Sequence, residues 1–182
     1  HAQLGPGFDN AAIKVLLDSE SVRIREAGCS VEYSPETSTL DRHVIDCIVA
    51  GGVVGWFQGR MEWGPRALGQ RSILADPRRN DVKEILNRKI KRRESFRPFA
   101  PSVLREQVAE RFERDGDVPF MGQVFPIRED KRALIPAVAH VDGSGRLQTV
   151  TAEHNARYYS LIECFFKRTG VPMLLNTSFN EN

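Results

Sequence analysis

Cysteine is scarce in this chain. Cys29, Cys47 and Cys164 are the only three in 182 residues, far apart and odd in number, with no Cys-x-x-Cys. That excludes a disulfide scaffold and a cysteine zinc site, and it fits a reducing cytoplasm. Long apolar runs are missing as well. The stretch from Cys47 to Trp56 is eased by glycines and falls short of the roughly 18–20 residues a membrane helix needs. The chain does not open on a basic region followed by an apolar run, so no signal peptide is read there. The common nucleotide signatures, G-x-G-x-x-G after a strand and G-x-x-x-x-G-K-[ST], do not occur. Neither does G-x-S-x-G, and His140, Asp142 and a distant serine lack the order or spacing of a triad. His43, His140 and His154 have no metal spacing with cysteine or with each other, so no metal site is read.

What remains is the composition of an ordinary globular protein, 41% hydrophobic and 27% charged, and long enough to bury a core without staples. The net charge of +2 conceals an asymmetry. Residues 60–97 carry 12 Lys/Arg against 5 Asp/Glu, and the rest of the chain is acidic in balance. A cluster of this kind needs an anionic partner or a solvated face.

Hydrophobic periodicity and capping residues divide the chain into elements. Asp9 is a helix N-cap, and the spacing that follows predicts a helix over 10–19. Leu40, Val44, Ile45 and Ile48 predict a second helix, stopped at Gly51-Gly52. Strands are expected at Val53–Gln58, Ser72–Ala75, Phe120–Ile127, Leu147–Val150 and Val171–Leu175. Helical stripes are expected at Val82–Ile90, Gln107–Phe112 and Tyr158–Phe166, the last stopped by Gly170. Pro98 and Pro101 make Phe96–Leu104 extended. The alternation predicts an α/β layered fold. The segment from Asn176 reads as a polar loop after the last strand. Both chain ends read like the interior of a longer protein.

Four stretches carry candidate chemistry. The glycine-rich loop Gly59–Gly69 and the residues just after it hold Arg60, Arg66 and Arg71, either an anion cradle or a structural loop whose arginines pair with Glu62 and Asp76. In the basic run 89–99, part of the charge suits a helix C-terminus. Arg97, between Phe96 and Phe99 and before Pro98, is expected to turn inward, where it needs an anionic or carbonyl partner. His140–Arg146 is a tight turn with an arginine at a strand mouth. Asn176-Thr177-Ser178-Phe179-Asn180 offers neutral donors and acceptors at the end of an apolar strand, where α/β folds bind ligands; a loop of capping residues is the other reading. Together they fit an anionic, planar, hydrogen-bonding ligand.

These stretches also resemble a known family. Gly55-Trp56-Phe57-Gln58-Gly59-Arg60-Met61-Glu62-Trp63-Gly64-Pro65-Arg66-Ala67-Leu68-Gly69 resembles the signature of nodulation-protein-U-type O-carbamoyltransferases. Arg97-Pro98-Phe99-Ala100-Pro101-Ser102, His140-Val141-Asp142-Gly143 and Asn176–Asn180 follow in the same order. The resemblance is to the family's C-terminal, YrdC-like domain. It implies one domain over residues 1–182, cut short at its C-terminal end, with a twisted mixed β-sheet and flanking helices. It also implies an activity: carbamoyl-adenylate made from carbamoyl phosphate and ATP with Mg²⁺. A separate N-terminal domain, which holds iron, would pass the carbamoyl group to an acceptor hydroxyl. Carried over by position, the catalytic residues fall on Lys91, Arg97 and Arg146, and the substrate-binding residues on Asn176, Ser178 and Arg66.

In the implied step, carbamate oxygen attacks the α-phosphorus of ATP and releases pyrophosphate. Charge neutralisation by Lys and Arg would be the main task. A non-catalytic module for nucleic acid such as double-stranded RNA is the alternative, with Phe96 and Phe99 beside the basic run available for stacking; the modest net charge argues against it.

Overall fold

The computed structural model describes residues 2–179. Asp9 caps α1 (Asn10–Ser19), its carboxylate accepting from the Ala12 N–H at 2.8 Å. A short α2 (Ser21–Glu26), which sequence reading missed, follows. Neither helix buries a residue, and Val15, Leu16 and Val22 are exposed. The core begins with α3 (Thr37–Val49), whose Asp41, Ile45 and Ile48 are buried.

A five-stranded sheet carries the fold. Its strands are β1 (Val54–Phe57), β2 (Arg71–Ala75), β3 (Ala100–Leu104), β6 (Gln148–Val150) and β7 (Met173–Ser178), in the order β1-β2-β7-β3-β6. β3 and β6 run parallel and the other neighbours antiparallel, so the sheet is mixed. Two-residue strands β4 (Phe125–Pro126) and β5 (Ser144–Gly145) pair separately. Helix α7 (Ala152–Thr169) packs on α3, β3, β6 and β7. It buries Tyr158, Leu161, Ile162 and Phe165, the i, i+3, i+4, i+7 stripe of an amphipathic helix. Each such side chain contributes about 1.5–3 kcal/mol. Gly170 ends the helix in the left-handed conformation at φ 74°. The remaining helices are single turns: α4 (Val82–Ile85), α5 (Val108–Arg111) and α6 (Glu129–Arg132). The fold is the expected α/β class with flanking helices. Among the described residues no helix is long and apolar enough to cross a membrane.

Three expectations need correction. The strand at Phe120–Ile127 shrinks to β4, because Met121 adopts φ 53° in a turn and only Phe125 and Pro126 find partners in β5. The polar segment after Leu175 is not a loop: β7 continues through Ser178, because β2 offers partners that far, Leu74 opposite Asn176 and Ser72 opposite Ser178. The stripe at Val82–Ile90 is one α-turn that widens into a π-turn over Leu86–Ile90. Asn180, the last residue of the fourth motif, lies outside the described residues.

Candidate functional site: an arginine cleft beside strand β7

The glycine-rich loop is folded by one buried carboxylate. A single Glu62 oxygen accepts the backbone N–H groups of Leu68 at 2.7 Å, Gln70 at 2.8 Å and Arg71 at 3.2 Å. Ser72 Oγ accepts from Gly69 at 3.0 Å. Gly69 has φ 103°, and a Cβ there would sit 2.3 Å from the Tyr158 ring, so no larger residue fits. The three arginines part company. Arg60 donates to the carbonyls of Leu4 and Gly5, and Arg71 to those of Gln58, Gly59 and Gln70. Only Arg66 lines a cleft. The expected pairing of these arginines with Glu62 and Asp76 does not form: Glu62 holds backbone, and Asp76 pairs with Arg78 at 2.6 Å.

Asn176 forms the floor. It sits on a central strand, 2% exposed, opposite Ala100 and Leu74. Its Nδ2 donates to Ala67 O and Ser102 Oγ, each at 3.0 Å. Ser102 donates to Gln148 Oε1 at 2.7 Å, and Gln148 Nε2 to Leu68 O at 2.9 Å. This network ties the sheet to the glycine-rich loop. Asn176 Oδ1 is buried without a hydrogen-bond partner, and the residue borders the cleft. A buried acceptor left unpaired costs about 1–3 kcal/mol, so the floor is primed for a donor.

The second wall comes from the segment after the π-turn. The π-turn is closed by Lys91 N–H to Leu86 O at 2.8 Å. Buried Asn87 then shapes the loop, donating to the carbonyls of Ser95 and Arg97 and accepting from Arg93 Nε at 2.7 Å. The expectation for Arg97 is overturned. It is not buried: its side chain is 53% exposed and its Nε pairs with Glu94 at 2.9 Å, because the chain turns inward only at Phe99. Lys91 goes inward instead. It is 2% exposed, and its ammonium donates to the Ser178 carbonyl and, at 3.0 Å, to Ser178 Oγ. Burial and nearby Arg93 lower the Lys91 pKa.

Two adjoining hollows share Arg66, Arg93, Pro98, Phe99 and Arg146 and make one cleft. Asn176, Thr177 and Ser178 border it at β7, while Arg97 and His140 border its outer part. The fold therefore gathers Arg66, Arg97, Arg146, Asn176 and Ser178, although some eighty residues separate Arg97 from Ser178. Lys91 reaches the cleft through Ser178 rather than by lining it. Four guanidiniums converge, and Glu94 is the only carboxylate ion-paired with any of them among the described residues. Burial, then repulsion from Arg66 and Arg93, lowers the Arg146 pKa. Arg93 is lowered by burial and by Arg97, and its guanidinium lies 5.1 Å from the Phe99 ring centroid. An anion entering here gains charge-assisted hydrogen bonds and relieves like-charge repulsion.

Sequence reading missed Arg93, Asn87 and Glu62. Arg93 was absorbed into a basic run assigned to a helix end. The signals for the other two were a polar residue inside an apolar stripe and an acid inside a basic loop. Phe96 and Phe99 do not form a stacking pair: Phe96 is 72% exposed and Phe99 only 2%. Among the described residues no three His, Cys, Asp or Glu gather, and the cleft is lined by cations.

The chain is similar to several known proteins. The chain is 57% identical over 138 residues to nodulation protein NolNO of Sinorhizobium fredii, covering 74% of this chain and 20% of that protein. It is 40% identical over 148 residues to the 3'-hydroxymethylcephem-O-carbamoyltransferase of Streptomyces clavuligerus, covering 81% and 28%. It is 41% identical over 130 residues to nodulation protein U of Azorhizobium caulinodans, covering 71% and 23%. The chain thus spans less than a third of the length of each. Residues 45–182, which hold every wall of the cleft, match the family model described as carbamoyltransferase C-terminus, and the chain belongs to that family.

Proposed function

We propose that this domain binds carbamoyl phosphate and ATP in the arginine cleft and forms carbamoyl-adenylate. A preceding domain of the full-length protein would then move the carbamoyl group to an acceptor hydroxyl. The observation that carries the reading is the meeting of four arginines with a buried, unpaired amide oxygen on Asn176. Phosphate oxygens suit the guanidinium forks, and a carbamoyl –NH₂ is a donor of the right size for Asn176 Oδ1. Family membership and the printed activity of the cephem relative support a carbamoyl-transfer role. Three unpaired cysteines are consistent with a cytoplasmic setting.

Within this reading the protein's own part is positioning and charge. Arg66, Arg93, Arg97 and Arg146 hold two anions that would otherwise repel, and Asn176 orients the planar carbamoyl group. Lys91 fixes the end of β7 through Ser178. Mg²⁺ bound to ATP would supply further charge neutralisation on the phosphates. The competing nucleic-acid reading lacks its stacking pair, since Phe99 is buried.

The test is isotope exchange in the full-length protein. Labelled pyrophosphate should enter ATP only when carbamoyl phosphate, or the carbamate derived from it, is present. Exchange with neither carbamoyl phosphate nor carbamate present, or none with carbamoyl phosphate, would end the adenylate mechanism.

A further inference from the structure

The proposed reaction leaves one atom to be found. Carbamoyl phosphate has its carboxyl oxygen capped by a phosphoryl group, so the carbamate oxygen that attacks ATP must first be uncovered. Water can supply it, and something must take the proton. The turn before Arg146 presents a candidate. His140 borders the cleft together with Arg66, Arg93, Arg97 and Arg146. Its Nδ1 lies 3.1 Å from Ser144 Oγ, and Ser144 Oγ lies 2.6 Å from Asp142 Oδ1.

Proton counting fixes the tautomer. Asp142 is held below the usual carboxylate range by the Ser144 hydroxyl and backbone N–H, so it is ionised and can only accept. Ser144 has one hydroxyl proton, and it goes to Asp142. Ser144 Oγ must then accept from His140 Nδ1–H. This leaves Nε2 as a bare lone pair, with no hydrogen bond among the described residues. The backbone holds the arrangement, with His140 N–H to Ser144 O at 2.8 Å and Gly143 N–H to His140 O at 3.0 Å. An oriented histidine with a free nitrogen in an anion-binding cleft is the geometry of a general base.

We infer that His140 is a catalytic residue that deprotonates the water attacking carbamoyl phosphate, with Ser144 and Asp142 as its positioning residues. The inference rests on the proposed function above. The water oxygen bonds to the carbonyl carbon as Nε2 takes one of its protons. The carbon–oxygen bond to the phosphoryl group then breaks, and its electron pair leaves with phosphate, which the arginines receive. Phosphate recovers the proton from His140. The carbamic acid left behind loses its own proton to solvent and becomes the attacking carbamate.

The imidazole must be neutral to act. Burial lowers the His140 pKa from its ordinary 6.5, Arg146 and Lys83 add to the fall, and Asp142 opposes it. Phosphate release should therefore fall on the acid side along a limb that lies below pH 6.5.

The experiment compares two activities of the full-length protein and its H140Q variant. One is phosphate release from carbamoyl phosphate with ATP and Mg²⁺. The other is pyrophosphate–ATP exchange supported by carbamate itself, supplied as ammonium bicarbonate solution, which bypasses the water step. H140Q should lower phosphate release about 100-fold or more, and its ratio to carbamate-supported exchange at least about thirtyfold. The acid limb should vanish in the variant. In ¹⁸O-water the released phosphate should stay unlabelled, since attack is on carbon. Phosphate release at the wild-type rate in H140Q, an equal fall of both activities, or label in the phosphate would overturn the inference. Wild-type protein inactive in both assays would instead overturn the proposed function, and this inference with it.

Discussion

The two walls of the cleft are built on different principles. On the sheet side, Asn176, Ser102, Gln148 and Glu62 are all buried and joined by hydrogen bonds to each other or to the glycine-rich loop. On the other side, residues 91–97 form a loop in which Arg97 is half exposed and Arg92 adopts φ 46°. One wall supplies position and the other supplies charge. Buried networks resist rearrangement because each broken bond leaves an unpaired group out of water. Exposed arginines can reorient on a ligand at little cost. The same residue chemistry therefore acts differently on the two sides, and substitutions should separate binding from folding.

The largest effect is expected at the junction of the walls. Arg146→Ala should lower the exchange activity of the full-length protein by roughly 100- to 1,000-fold. It should leave the melting temperature unchanged or raised, because it removes a half-buried charge repelled by Arg66 and Arg93. A fall in both activity and stability would place Arg146 among the structural residues. On the sheet side, Glu62→Ala strands three backbone donors, two of them on buried residues, and should cost about 3 kcal/mol in urea denaturation. A loss under about 1 kcal/mol would mean that the glycine-rich loop holds itself. A smaller change tests the charged wall. Arg97→Lys should lower activity about tenfold with stability intact, since a lysine keeps the charge but not the fork. Unchanged activity would leave Arg97 with only its surface pair to Glu94. The smallest effect belongs outside both walls. Leu16→Ala on α1 should shift stability by less than about 0.5 kcal/mol, because the helix buries nothing.

Local signals were legible where they act locally. The N-cap at Asp9 placed α1 at residues 10–19, and Gly170 marked the end of α7. The apolar stripe of α7 and the short strands β1, β2 and β6 could be read from spacing. Phe120–Ile127 failed because its buried apolar residues lie largely outside a ladder: only Phe125 and Pro126 pair with β5, and Ile127 makes a single bridge to Phe112. The positions of Arg66, Arg146, Asn176 and Ser178 as candidates came from motifs in order. That they border one cleft could not be read from spacing, since long-range register sets it.

The basic run 89–99 shows where the boundary falls. Its composition alone determined that cations would stand on the segment leading to Phe99, and that helix must give way to extended chain before Pro98. Which cation turns inward was decided by tertiary structure. The π-turn adds a residue to the last helical turn, Asn87 holds the carbonyls of Ser95 and Arg97, and Ser178 on a distant strand receives the Lys91 ammonium. Lys91 is buried and Arg97 exposed because burying a charge depends on partners being in place. Those partners come from β7, and only the folded sheet brings them there.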